Sequence, residues 1–327
     1  MEKIKWGIIG CGDVTEIKSG PAFNKVSNST LIAVMRRDGV KAKDYAQRHG
    51  VPKWYDNAND LINDEEVNAI YIATPPASHA EYAIKCIDAG KPVYIEKPMA
   101  LNAAEAKNVA DHSLKKNIQM VVAHYRREQP LFKKIKELID SNEIGDIRHV
   151  KMELFKKPLK SELVTSANWR IDPAQSGGGL FHDLAPHQLD LMYYFFGEIK
   201  EVFGIGVNQA SLYVADDLVT GSILFENKIV FNGTWCFTVS EYHEKDICEI
   251  IGSNGKITFS VFEGNVIRVE KNGQEEILTF PSIQHVQQPM IEAVVKYFLH
   301  KDKNPCSGKD GVVVMNLLDQ FTRKVKF

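Results

Sequence analysis

The chain has 327 residues, of which 44% are apolar and 25% are charged. This composition excludes a disordered or fibrous protein, and the length predicts two domains or one large barrel. Lysine and arginine total 40 and aspartate and glutamate total 42, which gives a net charge of −2. A charge so close to zero excludes a protein built to bind nucleic acid or an acidic membrane surface along its length.

The cysteines and the apolar runs bear on the cellular compartment of the protein. The five cysteines are scattered and form no C-x-x-C pair, so neither a disulfide framework nor a zinc ribbon is indicated. No long apolar region precedes the first predicted strand, and no apolar run approaches the ~18–20 residues of a membrane span. We therefore expect a reduced, cytoplasmic protein without a membrane partner.

Short apolar runs alternate with segments of helical period through the first 124 residues. The apolar runs predict strands at 4–9, 31–35, 69–73, 93–95 and 120–123. The periodic segments predict helices at 40–49, 60–64, 79–89 and 103–116. Strands that alternate with helices form βαβ units, so residues 1–124 are predicted to be an α/β Rossmann-type domain with a parallel sheet.

A glycine-rich turn follows the first strand and is related to the G-x-G-x-x-G motif. It reads Gly10-Cys11-Gly12-Asp13-Val14-Thr15. Gly10 would allow a tight turn, Gly12 would let a pyrophosphate approach the backbone, and the helix start at Asp13 and Val14 would supply N–H groups. Thr15 in the third position weakens the match. The motif predicts dinucleotide binding, and the alternative is an ordinary turn.

The end of the second strand bears on which dinucleotide binds. Arg36 and Arg37 stand where an acidic residue would bond the ribose of NAD. Guanidinium groups suit the 2′-phosphate of NADP or an adenine face, so NADP is favoured over NAD. The alternative is that both arginines are solvated and that Asp38 still serves NAD.

Two further segments lie at the carboxyl edge of the predicted sheet, where open α/β folds bind ligands. They are Thr74-Pro75-Pro76-Ala77-Ser78-His79 and Glu96-Lys97-Pro98. With the glycine motif, these segments resemble the Gfo/Idh/MocA family of oxidoreductases. The resemblance implies that Lys97 lies near the nicotinamide and the substrate hydroxyl. It also makes Thr74, Pro75, His79 and Glu96 candidate cofactor-binding residues.

The resemblance continues beyond the first domain. Residues 124–130 resemble the family's crossover segment, with Glu128 in place of an aromatic residue. Residues 177–187 resemble its G-G-G…D-x-x-x-H block, in which the histidine is the usual acid/base. The candidate substrate-binding residues of this half are Tyr125, Trp169, Arg170, Asp183 and His187.

The chemistry of alcohol oxidation suits these residue types. A neutral histidine, with an ordinary pKa of about 6.5, accepts a hydroxyl proton near neutral pH, so His187 is the candidate base. On a helix Asp183 would share its face and orient a hydroxyl or the imidazole, and Lys97 would stabilise charge on the substrate oxygen. Alternatively, Asp183 is a helix N-cap and His187 a structural group. No ligand spacing predicts a metal site.

Trp169 and Arg170 have two interpretations. Trp169 could stack on a sugar face while Arg170 bonds hydroxyls or a carboxylate, or both could simply anchor their loop. Tyr125 is a weaker candidate of the same kind.

Longer alternating segments from residue 147 onwards predict a mainly antiparallel open sheet. Its predicted strands are 149–155, 199–208, 217–225, 229–237, 246–251, 256–262 and 265–271. Predicted helices at 130–142 and 178–196 cover this sheet, and two more follow at 289–299 and 309–325. Residues 125–327 are therefore predicted to form an α+β domain for substrate binding, whose last helix could return to the first domain. The resemblance implies a homodimer or homotetramer assembled through this sheet.

The pattern as a whole favours an NAD(P)-dependent oxidoreductase that transfers a hydride between nicotinamide and a sugar, polyol or related hydroxy or carbonyl compound. A non-catalytic sensor of a nucleotide or sugar and a redox-neutral NAD-dependent glycosidase are the alternatives. The joint presence of Lys97, Asp183 and His187 favours the enzyme.

Overall fold

The computed structural model describes residues 2–158 and 168–323. The chain forms two compact units, of which unit 1 comprises the described residues of Met1–Gln129 and Ile283–Met315. Unit 2 comprises those of Pro130–Ser282 and Asn316–Phe327. The predicted domain boundary at residue 124 lies close to Gln129, where the first segment of unit 1 ends. Because residues 283–315 also belong to unit 1, each unit consists of two segments of the chain.

Unit 1 contains a six-stranded parallel sheet in the order β3-β2-β1-β4-β5-β6. Its strands are β1 (Ile4–Ile9), β2 (Ser29–Met35), β3 (Lys53–Tyr55), β4 (Ala69–Ile72), β5 (Val93–Ile95) and β6 (Met120–Val122). Its helices in this part are α1 (Asp13–Ile17), α2 (Gly39–His49), α3 (Ala58–Asn63), α4 (His79–Asp88) and α5 (Ala103–Lys116). This is the strand order of a Rossmann domain, as predicted.

Two elements of unit 1 differ from the sequence prediction. The edge strand β3 has three residues, none of them buried, so it lacks the apolar run that revealed the other strands. The helix α1 has only five residues and is followed by a 3-10 turn at Gly20–Asn24. The helix start predicted after the glycine motif is therefore present, but the helix that follows it is short.

Unit 2 contains an eight-stranded sheet in the order β14-β13-β12-β11-β7-β10-β9-β8. Its strands are β7 (Ile147–Phe155), β8 (Ile199–Val207), β9 (Leu218–Phe225), β10 (Val230–Cys236), β11 (Lys245–Gly252), β12 (Gly255–Phe259), β13 (Val266–Lys271) and β14 (Gln274–Thr279). The pair β7–β10 is parallel, and the other pairs are antiparallel. The mainly antiparallel sheet is confirmed, although the largely exposed β14 was not predicted.

Two helices of unit 2, α6 (Pro130–Asp140) and α8 (Leu180–Phe196), pack on one face of this sheet. The short helix α7 (Pro173–Ser176) precedes α8 in the chain. The ring centroid of Phe259 lies 6.1 Å from that of Phe132 in α6 and 6.4 Å from that of Phe195 in α8. The Trp235 ring of β10 packs edge-on to Phe181 of α8 at 5.0 Å. This aromatic layer fixes α8, which carries the predicted acid/base residue.

The C-terminal part of the chain contains α9 (Gln288–Phe298) and α10 (Gly308–Phe321). The segment up to Met315 belongs to unit 1, and it bonds to β6. Val122 donates its N–H to Cys306 O (3.0 Å), and the Asn304 side chain donates to Met120 O (2.9 Å). The predicted helix 309–325 ends instead at Phe321, and positions 324 and 325 lie outside the described residues.

No helix in the described ranges combines the length and apolar character needed to cross a membrane.

Candidate active site

The two glycines of the glycine-rich turn have different reasons to be glycine. Gly10 has a φ of +94°, and an added Cβ would lie 2.8 Å from Thr74 N and Cγ2. The fold therefore requires glycine at this position. In the described part of the chain, a Cβ on Gly12 would approach nothing closer than Gly10 O, at 4.0 Å. The space beside Gly12 is open, which fits a site where a pyrophosphate approaches the backbone.

Thr15, which weakens the match to the sequence motif, is hydrogen-bonded to the turn. Its hydroxyl donates to Gly12 O (2.7 Å), and the Tyr45 hydroxyl donates to Thr15 O (2.8 Å). The close packing that the third glycine of the motif usually allows is found at Gly20, where a Cβ would overlap Thr15 O and the Tyr45 hydroxyl. Of the two residues after the glycines, Asp13 is exposed and Val14 is half-buried.

The arginines after β2 lie in different surroundings. Arg36 is half-buried and donates from Nη1 to Cys11 O (3.3 Å), so its guanidinium lies against the glycine-rich turn. Arg37 is exposed. Asp38 is the N-cap of α2 and accepts from Lys41 N–H (3.2 Å), a bond that lowers the pKa of the Asp38 carboxyl. The carboxylate that could have served NAD is thus engaged in capping a helix.

His79 links the two loops at the carboxyl edge of the sheet. Its ring is fully buried, with Nε2 2.7 Å from Thr74 O and Nδ1 2.8 Å from Pro98 O. Burial lowers the pKa of His79 to about 4, against the two carbonyls, which raise it. A neutral ring donates to only one of them at a time. The described hydrogen bonds of His79 are therefore with the backbone of these two loops.

Glu96 also points into the protein, whereas Lys97 is half-buried. The Glu96 carboxylate accepts from the Tyr71 hydroxyl (2.5 Å), from Gln287 Nε2 (2.5 Å) and from Lys97 N–H (3.1 Å). Its partner Gln287 is 191 positions away in the chain, so the sequence offered no signal for this contact. Of the two charged residues in the E-K-P segment, Glu96 is therefore buried and Lys97 is partly exposed.

The remaining candidate site residues of unit 1 are Thr74, Pro75 and Tyr125. Thr74 and Pro75 are half-buried, and the Thr74 hydroxyl accepts from the Ser78 hydroxyl (2.8 Å). Tyr125 is buried, and the Arg126 guanidinium lies 5.5 Å from the centroid of its ring.

In unit 2 the structure brings Trp169, Arg170 and Asp183 together. Arg170 Nε donates to Asp183 Oδ2 (3.2 Å), and the guanidinium lies 4.7 Å from the centroid of the Trp169 ring. The side chain of Arg170 is 41% exposed and that of Asp183 is 15% exposed. The side chain of Asn168 fixes the start of this turn by accepting from Arg170 N–H (3.2 Å). Three of the predicted substrate-binding residues therefore form one polar cluster with an aromatic face.

Asp183 and His187 both lie on α8. The N-cap of this helix is Gly179, so the alternative that Asp183 is the N-cap is wrong. Pro186 lies inside the helix, and the four-residue spacing puts Asp183 and His187 on the same helix face. His187 is 6% exposed, and its ring packs edge-on to Phe262 at 5.5 Å.

Each of the three glycines before α8 meets a geometric demand. Gly177 and Gly179 have φ values of +90° and +79°. A Cβ on Gly179 would overlap Ala215, and one on Gly178 would overlap the ring of His182. His182 is buried, and burial lowers the pKa of its ring to about 4. The triple glycine thus sets the start of α8 and hence the positions of the acid/base candidates.

Within residues 2–158 and 168–323, no three His, Cys, Asp or Glu side chains form a group that could hold a metal ion.

Comparison with known proteins gives matches across most of the chain. Residues 4–124 match the family model described as "Oxidoreductase family, NAD-binding Rossmann fold", and residues 132–258 match "GFO/IDH/MocA C-terminal domain". Oxidoreductase P35 of Formosa agariphila is 48% identical over 321 residues, which cover 98% of each chain. Trans-1,2-dihydrobenzene-1,2-diol dehydrogenase of Bos taurus is 30% identical over 66% of this chain and 63% of its own.

Solved structures show the same fold at low sequence identity. A levoglucosan dehydrogenase in complex with NADH and levoglucosan has a TM-score of 0.88 at 20% identity, covering 98% of this chain and 97% of that one. A 3-ketoreductase of Actinomadura kijaniata in complex with NADP has a TM-score of 0.84 at 19% identity, covering 97% and 96%. These structures hold different dinucleotides, so the fold does not distinguish NAD from NADP. The two family matches and the 48% identical relative establish that the chain belongs to the Gfo/Idh/MocA family of NAD-binding oxidoreductases.

Proposed function

We propose that this oxidoreductase transfers a hydride between NADP and the hydroxyl-bearing carbon of a neutral sugar or polyol. The observation that carries this proposal is the cluster of Trp169, Arg170 and Asp183, whose aspartate shares a helix face with His187. It joins a stacking surface, hydrogen-bond donors and an acceptor to a candidate base.

The cluster fits a neutral polyhydroxyl compound better than an acid. Arg170 and Asp183 form an ion pair without net charge, so they offer donors and acceptors to neighbouring hydroxyls but no excess positive charge to a carboxylate. The Trp169 ring supplies an apolar face of the kind that a sugar ring covers. Among the relatives, one is named for levoglucosan and another for trans-1,2-dihydrobenzene-1,2-diol, which supports a hydroxylated substrate.

The residues around the glycine-rich turn fit a dinucleotide. Gly12 leaves room for a pyrophosphate, and Arg36 lies against the same turn. Arg36 and Arg37 would hold the 2′-phosphate of NADP, while Asp38 caps α2. When bound, the nicotinamide supplies or accepts the hydride.

The protein's own residues then handle the proton and the developing charge. In the oxidative direction, His187 takes the proton of the substrate hydroxyl, and in the reductive direction it returns that proton to the oxygen. The ammonium group of Lys97 stabilises negative charge on the same oxygen, and Asp183 with Arg170 orients the adjoining hydroxyls.

We also propose that the protein is a homo-oligomer assembled through the open face of the unit 2 sheet. On the edge strand β8, Phe203 is 66% exposed and Ile205 is 52% exposed. Apolar groups in adjoining outward positions are typical of a surface that another chain covers.

The proposed reaction is tested by screening neutral sugars and polyols with NADP and with NAD while nicotinamide absorbance is followed. Uronic and aldonic acids in the same panel test the preference for neutral compounds. His187→Ala should lower kcat at least about 100-fold and leave the Kd for NADP unchanged. Unchanged turnover in this variant would refute the role of His187, and absence of dinucleotide binding would refute the whole proposal. Cofactor that stays bound with no net absorbance change during turnover would indicate redox-neutral chemistry instead.

A further inference from the structure

A buried polar network in unit 1 ends on the peptide of Lys97. Its centre is Glu96, a carboxylate that is 5% exposed. Glu96 Oε1 accepts from the Tyr71 hydroxyl and from Gln287 Nε2, each at 2.5 Å, and Oε2 accepts from Lys97 N–H at 3.1 Å. A carboxylate removed from water is tolerated where such donors surround it.

Gln287 uses both ends of its amide in this network. Its Nε2 donates to Glu96, and its Oε1 accepts from the Tyr94 hydroxyl (2.9 Å). Burial raises the pKa of Tyr71 and of Tyr94 well above the ordinary value, so both keep their protons and act as donors. The amide therefore has one orientation that satisfies every partner.

The backbone that carries Gln287 is held at several points. Gln287 N–H donates to Lys18 O (3.2 Å), the ring of His285 contacts Ile17 O through Nδ1 (2.6 Å), and Gln129 Nε2 donates to Val286 O (3.0 Å). These bonds fix the backbone position of Gln287, whose fully buried side-chain amide contacts Glu96.

We propose that Gln287 is a positioning residue for Lys97. By holding Glu96 Oε1, it keeps Oε2 directed at Lys97 N–H, and this fixes the peptide from which the Lys97 side chain extends. The inference rests on the proposed function, in which Lys97 acts on the substrate oxygen. A purely structural Gln287 would contribute to folding stability without a specific effect on Lys97.

The decisive variant is Gln287→Glu, because its effect depends on pH. It places a second carboxyl beside Glu96, and two carboxylates at this distance cannot both ionise readily. At low pH the protonated carboxyl donates to Glu96 and accepts from Tyr94, as the amide does. At higher pH the proton is lost and the two groups repel. Besides Tyr71 and Tyr94, which belong to the network, the titratable groups that face it are Cys306 and Tyr125, both of which interact with Tyr94.

Hydrogen–deuterium exchange of the peptide containing Lys97, in the full-length protein with NADP added, measures this effect without a substrate. Protection of the Lys97 amide relative to wild type should fall about tenfold as pH rises, which is the change expected from losing a hydrogen bond to a charged group. With the sugar or polyol that the screen identifies, kcat relative to wild type should fall over the same pH range while KM changes little.

Gln287→Leu and Gln129→Leu form a matched pair. Gln287→Leu removes the contact with Glu96, whereas Gln129→Leu removes one of several bonds that hold the backbone around Gln287 and leaves the contact between Gln287 and Glu96 in place. Gln287→Leu should lose Lys97 protection at every pH, whereas Gln129→Leu should keep it within about twofold even if both lower Tm similarly.

Parallel pH profiles for Gln287→Glu and wild type, or equal loss of protection in the two leucine variants, would overturn the inference. Lys97→Met separates it from the proposed function. Unchanged turnover in Lys97→Met would defeat the proposed role of Lys97, whereas the exchange data alone decide whether Gln287 holds the Lys97 peptide.

Discussion

The loops of unit 1 and the loop of unit 2 that carry the site candidates are held by different interactions. In unit 1, buried side chains bond to loop backbone: His79 to Thr74 O and Pro98 O, and Glu96 to Lys97 N–H. In unit 2, Gly179 N–H donates to Ser176 Oγ (2.8 Å), and steric contact adds a further restraint, because a Cβ added at Gly178 or Gly179 would overlap His182 or Ala215.

This difference implies different responses to change. A hydrogen-bonded loop loses its bonds one at a time, so substitutions and protonation in unit 1 should have graded effects. A sterically fixed loop has no intermediate position, so the effect in unit 2 should be abrupt. Substitutions in the two units should therefore differ in the size of their effect on stability.

The largest expected effect is that of Gly178→Ala in unit 2. The new methyl group would overlap the ring of His182 at Nδ1, and His182 is only 2% exposed. We expect a loss of at least about 3 kcal/mol in the free energy of unfolding, measured by urea denaturation. The double variant Gly178→Ala/His182→Ala should recover part of that loss, since the ring is gone. A double variant whose loss equals the sum of the two single losses would show that the ring does not cause the effect.

A second effect in unit 2 depends on pH. Burial lowers the pKa of His182 to about 4, below the value of about 6.5 in an unfolded chain. The unfolded chain therefore takes up a proton first, and stability present above pH 6.5 is lost as the pH falls towards 4. At pH 5 the loss is about 2 kcal/mol. His182→Asn should flatten the dependence of unfolding free energy on pH between 6.5 and 5. Part of the slope should remain, because burial lowers the pKa of His79 in unit 1 in the same direction.

Much of the fold was predictable from local patterns. Strands buried on both faces, such as β1 and β5, appear in the sequence as apolar runs with the bounds that the structure shows. The exposed edge strands β3 and β14 bury too little to leave such a run. The sequence allowed a return of the last helix to the first domain, but the extent of the returning segment, residues 283–315, was not predictable, because it depends on bonds such as that from Val122 N–H to Cys306 O between distant parts of the chain.

The site was predictable to the same extent. Motif spacing brought out Trp169, Arg170 and Asp183, which the structure places in one cluster. It also brought out Glu96 and His79, but only the structure shows that both side chains face inwards. Tyr71 and Gln287 belong to no motif, and their contact with Glu96 arises only when the chain is folded.

A smaller effect is expected at Gly10 in unit 1. Its φ of +94° disfavours a side chain, and a Cβ would press on Thr74 at 2.8 Å. Gly10→Ala should lower the free energy of unfolding by about 2 kcal/mol, from backbone strain and from a contact at 2.8 Å that is less severe than the overlap with His182 expected for Gly178→Ala. Urea denaturation measures the change. A loss as large as that of Gly178→Ala would contradict the distinction between the two units.

The smallest effect on stability is expected at Gly12, two positions further on. In the described chain a Cβ there has open space, with Gly10 O at 4.0 Å, and its φ of −124° is accessible to any residue. Gly12→Ala should therefore change the free energy of unfolding by less than about 0.5 kcal/mol. If a pyrophosphate occupies that space, the added methyl should raise the Kd for NADP at least about tenfold, measured by calorimetry. Gly10→Ala and Gly12→Ala thus separate the glycine that the fold requires from the glycine that a ligand requires. Unchanged NADP affinity in folded Gly12→Ala would place the dinucleotide elsewhere.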